Sequence, residues 1–315
     1  MKDSQKGEGL THPLRHAMSG ALHARSRLSI RDVMHFGWCI AASWLLIGML
    51  GCAGSQHRGL NSAEKVILAT YPVATQDAFA TGFLLAIKNP AAKAGYDLVA
   101  ITSGHLVKAA GGKPLILLLR TVASNGDVSG ILVNLTKGPK RPPCVVHPLL
   151  DIAAFHIPIP QDMPAGAILP ALHERDLDFA DLRAGDGISV AGFPEGEGDL
   201  SGAFPLLRTG VVASIDQTFL GTPGFLINTG IYPGDSGAPV FLSGPGKRPR
   251  LVGMVVEYYR GVGENPMPMA LAVDAHGIRE TVDLLLHRQE EKPTTIETAL
   301  EKSKTDLLQR KSKHL

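Results

Sequence analysis

Between residues 66 and 157 the chain alternates short apolar runs with turn-forming segments: VILAT from 66, GFLLAI from 82, DLVAIT from 97, PLILLLRTV from 114, VSGILVNL from 128 and DIAAFHI from 151. Runs of this length, rich in Val, Ile and Leu and separated by stretches such as NPAAKAG and SNGD, predict strands joined by turns. Six of them with no convincing helix pattern between predict an antiparallel barrel over about 66–157 rather than alternating strand–helix units. Residues 158–183 are Pro-rich and then acidic, which predicts a connection with a short helical turn. A second strand series follows over 187–275: GISVAGFP, LLRTGVVASI, GFLINTG, APVFL, RLVGMVVEYY and PMALAVDA. In HGIRETVDLLLH, 276–287, Ile278, Val282, Leu285 and Leu286 fall at helical spacing and predict a closing helix. The expected class is all-β: two consecutive six-stranded antiparallel barrels with a C-terminal helix, one folded domain over 66–287.

Composition agrees with that pattern. In 315 residues, 44% are hydrophobic, enough for a sizeable core, and 35 Gly with 22 Pro suit many tight connections. No internal repeat is visible. The formal charge of +2 is unevenly placed: residues 1–52 hold six Lys/Arg against three Asp/Glu, leaving 25 bases and 26 acids for the rest. A near-neutral body gives no electrostatic reason to expect nucleic acid as a partner.

The charge asymmetry belongs to a targeting segment. Basic residues up to Arg31 precede FGWCIAASWLLIGMLGC, an uncharged run from Phe36 to Cys52 that matches the basic and apolar regions of a signal peptide. It is short for a membrane span, so a signal anchor is the lesser alternative. The ending MLGC resembles a bacterial lipobox. That resemblance implies cleavage before Cys52, a lipid on its sulfur, and an exported protein held at a membrane of the cell envelope. Met18 is an alternative start giving a leader of more ordinary length. Residues 53–65 are small and polar and form an expected tether. The tail over 288–315 is charged, with a weak helical pattern, and is expected to be a solvated extension. Cys39 and Cys52 fall in the leader, so Cys144 alone remains for the body, with no internal disulfide and the expected role of a small buried hydrophobe. No zinc-type spacing occurs.

The chemistry starts at IYPGDSGAPV, residues 231–240. Gly-Asp-Ser-Gly is what a hairpin loop uses, and it is also what presents a serine among backbone N–H donors, because glycine lets a substrate approach the backbone closely. A serine hydroxyl is a weak nucleophile and needs a base, which in turn needs an acid to orient it. His105 follows an apolar strand in VAITSGHLVK, and Asp151 opens another in HPLLDIAAFHI. The order His, Asp, Ser and the three contexts TSGH, DIA and GDSG resemble the chymotrypsin-like (trypsin fold) serine proteases in their bacterial exported, HtrA-like form. VAGFP, TGVVASI and LVGMVV resemble further strands of the second barrel, so the likeness covers about 66–285. His147 and His156, on either side of Asp151, converge on no metal geometry and are expected to be ordinary strand or loop residues.

What the resemblance implies is a mechanism without metal or organic cofactor. Ser236 attacks the scissile carbonyl of a protein or peptide substrate, His105 carries its proton to the leaving amine, and Asp151 holds the imidazole. The N–H groups of Gly234 and Ser236 form the oxyanion hole. Two positions depart from the pattern or need explanation. Ala238 stands where the family usually has Gly, adding a methyl group beside the substrate or adjacent backbone. Asp235 must find another partner, or the oxyanion loop rests in an inactive arrangement until substrate is bound, since KVILATYP lacks the activation sequence whose new N-terminal amine pairs with this acid in the digestive branch. Specificity falls to Gly230, near the base of the primary pocket and offering no acid, and Glu257, which would favour a basic side chain if it faced that pocket. The default is a small or medium apolar residue. No segment resembling a PDZ domain follows. The alternative function is a noncatalytic protease-fold lipoprotein that binds a peptide or protein partner.

Overall fold

The computed structural model describes residues 60–290 apart from 124–125, 139–140, 160–162, 164–165, 195–203, 220, 245, 247 and 260–268. The leader with Cys52, the tether up to 59 and the tail beyond 290 lie outside the described residues.

The chain enters the fold through α1 (Ser62–Leu68), where Asn61 and Glu64 form a reciprocal cap: Glu64 N–H donates to Asn61 Oδ1 at 2.9 Å and Asn61 N–H to Glu64 Oε2 at 2.7 Å. This helix takes the end of the expected tether and most of VILAT. The first strand, β1 (Thr70–Ala74), therefore begins only at Thr70. A five-residue apolar run suits a strand or one face of a helix equally, and the cap decides between them.

Strands β2 (Phe79–Lys88), β3 (Tyr96–Ser103), β4 (Ile116–Val122), β5 (Val128–Asn134), β6 (Cys144–Val146) and β7 (Ile152–Ile157) follow. They assemble in the order β5-β4-β1-β2-β3-β7-β6, and the two-residue β8 (Leu172–His173) pairs with β2 in parallel. The N-terminal half is thus an eight-stranded sheet where six barrel strands are expected. The additions β6 and β8 are three and two residues long, too short to show a hydrophobic period. Between β3 and β4 lies α2 (Gly104–Ala110), ended by Gly111 at φ +52°.

The C-terminal half closes as expected. Strands β9 (Gly187–Gly192), β10 (Leu206–Phe219), β11 (Thr222–Asn228), β12 (Pro239–Leu242), β13 (Leu251–Tyr259) and β14 (Met269–Asp274) form a barrel in the order β10-β11-β14-β13-β12-β9. The final helix, α3 (Ala275–Glu290), packs back on β6, β7 and β13.

Burial explains the arrangement. Ile188, Val190, Phe225, Val240 and Val255 fill the barrel, while Tyr71, Leu84, Leu117, Leu119 and Phe155 fill the N-terminal half. A third cluster joins the halves: Phe83, Leu85 and Ile101 meet Met254, Val256 and Val273, with Ile278, Val282 and Leu285 of α3 covering it. β2 sends Leu84 to one cluster and Phe83 and Leu85 to the other, as the two-residue period of a strand requires. Cys144 is half-buried against the N-terminal cluster. Among the described residues, no helix is long and apolar enough to cross a membrane.

Candidate active site

β3 runs straight into α2, so His105 sits in the first turn of a helix rather than in the expected open turn. Leu106 and Ala110 are buried and anchor that helix, which leaves the imidazole at the surface of a cleft with 51% of its side chain exposed. Asp151, 46 residues later, grips it twice. Its Oδ2 lies 2.5 Å from His105 Nδ1 and its Oδ1 accepts the His105 backbone N–H at 2.6 Å, so both the position and the tautomer of the base are set. Gly104 leaves room beside them, since a Cβ there would stand 3.0 Å from Asp151 Oδ1 and 3.2 Å from a Val146 methyl and would push one of them aside. The hydrogen bond from Asp151 holds the His105 pKa above its ordinary value against the opposing effect of burial. The negative charges of Asp151 and Glu257 add to the rise, and Lys108 opposes it.

Ser236 reaches the same cleft from the turn before β12. That turn is fixed from three sides. Thr81 of β2 donates its backbone N–H to Ser236 O at 2.9 Å and its hydroxyl to Gly234 O at 2.8 Å, while Gly237 N–H donates to Val255 O at 2.7 Å. Gly237 has φ +92°, and a Cβ on it would lie 1.9 Å from Thr81 O, so only glycine fits. The third hold answers the question of the buried acid. Asp235 is fully buried and forms a two-pronged ion pair with Arg208 of β10, both contacts 2.5 Å, and also accepts the Tyr232 N–H at 2.8 Å. Arg208 thus occupies the role of an N-terminal ammonium. Gly192 makes room for it: a Cβ there would fall 2.3 Å from Asp235 Oδ1 and 2.8 Å from an Arg208 nitrogen.

The N–H groups of Gly234 and Ser236 donate to no protein acceptor among the described residues. His105, Asp151 and Ser236 line one cavity of about 470 Å³, whose wall also includes Lys108, His147, Val256, Glu257 and Leu271. No hydrogen bond joins Ser236 to His105, a contact that commonly tightens only with substrate bound.

Three further positions singled out in the sequence can be placed. Ala238 is fully buried in the barrel core and presents no methyl group to the cleft, so its departure from glycine is a packing matter. Gly230 does not line the cavity; its carbonyl accepts from Arg208 at 3.0 Å and it lies against the Tyr232 ring. Glu257 does line it, just after a bulge in the pairing of β13 with β14, the kind of irregularity that re-aims a side chain. Burial raises its pKa, with His105 lowering it and Asp151 raising it further. His156 lies away from the cleft, 3.3 Å from Asp97. His147, in the loop directly after β6, forms part of the cleft wall. Sequence reasoning also passed over Thr81 and Arg208; a Thr-Gly pair inside the apolar run of β2 was the available sign of a close backbone approach there. Among the described residues no cluster of His, Cys, Asp and Glu could hold a metal ion.

The fold is all-β, a closed six-stranded barrel beside an eight-stranded sheet, with a C-terminal helix. Solved structures that resemble the chain include the HtrA-type protease AlgW with tripeptide (15% identity, TM-score 0.45, 72% of this chain and 62% of that one). Others are Deg5 (16%, 0.46, 70% and 90%) and an inactive form of Rv3671c from M. tuberculosis H37Rv (13%, 0.43, 78% and 98%). The chain thus spans under two thirds of the length of AlgW. No protein-family model matches the chain, and no curated protein sequence does.

Proposed function

We propose that the protein is a serine endopeptidase that hydrolyses peptide bonds through an acyl-enzyme. The observation that carries this reading is the two-point grip of Asp151 on His105 in the same cavity wall as Ser236. Ser236 Oγ attacks the scissile carbonyl while His105 Nε2 takes its proton. The oxyanion forms against the N–H groups of Gly234 and Ser236, and His105 then protonates the departing amine. Water, deprotonated by the same imidazole, releases the acyl group. Each oxyanion donor is worth about 3 kcal/mol of transition-state stabilisation in sites of this kind. Glu257 beside His105 favours a substrate with a basic side chain next to the scissile bond. The leader, ending at Cys52, supports an envelope location with a lipid on that cysteine; incorporation of an alkyne fatty acid by the wild type and not by Cys52→Ser tests it.

Labelling of the purified full-length chain with a fluorophosphonate probe tests the chemistry. Wild type is expected to label at Ser236, and Ser236→Ala and His105→Ala to lose the label. A folded wild type that never labels would instead favour an unformed oxyanion site or the noncatalytic binder.

A further inference from the structure

His147 has no part in the mechanism above, yet its side chain is only 1% exposed and it forms part of the cavity wall. It stands at the start of the short loop 148–151 that delivers Asp151, and it closes that loop on both its backbone and its ring. The His147 N–H donates to Ile152 O at 2.8 Å. Its Nδ1 accepts two backbone N–H groups, from Leu149 at 3.1 Å and Leu150 at 2.8 Å. An imidazole nitrogen that accepts carries no proton, so the other nitrogen, Nε2, bears the hydrogen. Asn and Asp do the same work in turns that bond the backbone two residues on, where the acceptor is a carboxyl or amide oxygen. Just beyond the latched segment, Asp151 O accepts the Gly104 N–H at 3.1 Å, and the Asp151 carboxylate takes the two contacts to His105.

We propose that His147 is a positioning residue for the triad acid: its unprotonated Nδ1 latches loop 148–151 in the shape that presents Asp151 to His105, and a proton on that nitrogen releases the latch. The proposal rests on the catalytic reading only for its consequence on activity. A protonated Nδ1 would point N–H at two N–H donors, so the imidazolium and the latched loop exclude one another. The charged and titratable groups facing this corner are Glu280 of α3, 3.7 Å from Nε2, His105 and Lys108 of α2, Glu257 and Tyr258 of β13, and Asp151 itself. Burial lowers the His147 pKa, and Glu280 works against that. The latch therefore holds at neutral pH and opens on acidification below the ordinary histidine range near 6.5. Glu280 is then placed to pair with the released imidazolium.

The test is amide hydrogen exchange at Leu149 and Leu150, followed by NMR on the full-length chain at pH 7.5 and in acid, for wild type, His147→Leu and His147→Asn. Asn keeps an acceptor where Nδ1 stood and cannot titrate. Wild type is expected to protect both amides at pH 7.5 and to lose that protection in acid, His147→Leu to lack it throughout, and His147→Asn to keep it at both. Equal protection in wild type and His147→Leu at pH 7.5, or protection in wild type that survives to pH 4, overturns the proposal. Fluorophosphonate labelling of the same samples reads the consequence: a rate about a hundredfold lower in His147→Leu, the scale of a 1 Å misplacement, and near wild type in His147→Asn. Equal labelling rates also overturn it. Should wild type not label at all, the catalytic reading fails, and the downfield His105 Nδ1 proton decides the latch: its loss in His147→Leu supports the proposal and its persistence overturns it.

Discussion

At the scale of single residues, the cleft sets two histidines on opposite sides of their ordinary pKa. His105 is raised by its bond to Asp151, whereas His147 is lowered by burial. The signs have opposite consequences for stability. The His105 contribution is full below about 6.5 and lost as the pH rises through its raised folded value; that of His147 is full above about 6.5 and lost as the pH falls. Activity needs His105 unprotonated, so the acid limb of kcat/KM is expected above 6.5. Glu257→Gln removes one of the negative charges that raise His105 and is expected to move that limb to lower pH. It should also cut the preference for Lys or Arg over Gln in a peptide library by about fivefold, the worth of a partly exposed ion pair near 1 kcal/mol. A pH-rate profile with an unmoved limb would remove Glu257 from the electrostatics of the base.

At the scale of elements, the turn that carries Ser236 is held in shape by neighbouring strands as well as by its own hydrogen bonds. Arg208 leaves β10 to neutralise Asp235 inside the protein, and Gly192 of β9 makes room for the pair. Arg208→Met is expected to destabilise the fold by about 3–5 kcal/mol, the cost of leaving one buried charge alone. It should also abolish labelling of Ser236 in whatever protein stays folded. Urea unfolding measures the first and probe labelling the second, and full labelling in the variant would detach the ion pair from the oxyanion turn. The pair shows where sequence reading stopped. TSGH, DIA and GDSG are local, each motif carrying its own residue, and the strands of the second barrel announce themselves by composition. The partner of Asp235 lies 27 residues away and depends on how β9, β10 and the turn come together. His147 was hidden differently, because the loop latch is usually an Asn or Asp and a lone histidine in a loop gives no such signal. The first apolar run was misassigned although Asn61 and Glu64 sat at capping-box spacing ahead of it.

At the scale of the molecule, His105 and Asp151 belong to the N-terminal half and Ser236 to the turn before β12 of the barrel, so the geometry of the site is the geometry of the contact between halves. Arg120 secures one side of it. Buried on β4, it donates to the carbonyls of Ile67, Leu68 and Thr70 and lies 4.9 Å from the rings of Tyr71 and Phe204, the latter just ahead of β10. Burial lowers its pKa to about 10, which leaves it charged at neutral pH. Thr81 secures the side next to the chemistry. Its hydroxyl donates to Gly234 O at 2.8 Å and accepts the Phe193 N–H at 3.0 Å, while its carbonyl accepts the Thr102 hydroxyl at 2.8 Å, three residues before His105. One residue, through its hydroxyl and its carbonyl, therefore ties the Ser236 turn and the end of β9 to the strand that leads toward His105. Thr81→Val keeps the shape and deletes the hydroxyl, leaving a buried carbonyl and a buried N–H without that partner at about 1–3 kcal/mol each. The expected loss is about 2–6 kcal/mol in urea unfolding, with a fall in Ser236 labelling beyond what the unfolded fraction explains. Thr81→Ser retains the hydroxyl and should recover most of both. A Val variant as stable and as reactive as wild type would mean that apolar packing between the halves, Phe83 and Ile101 against Met254 and Val256, positions the nucleophile without help from the hydrogen bonds.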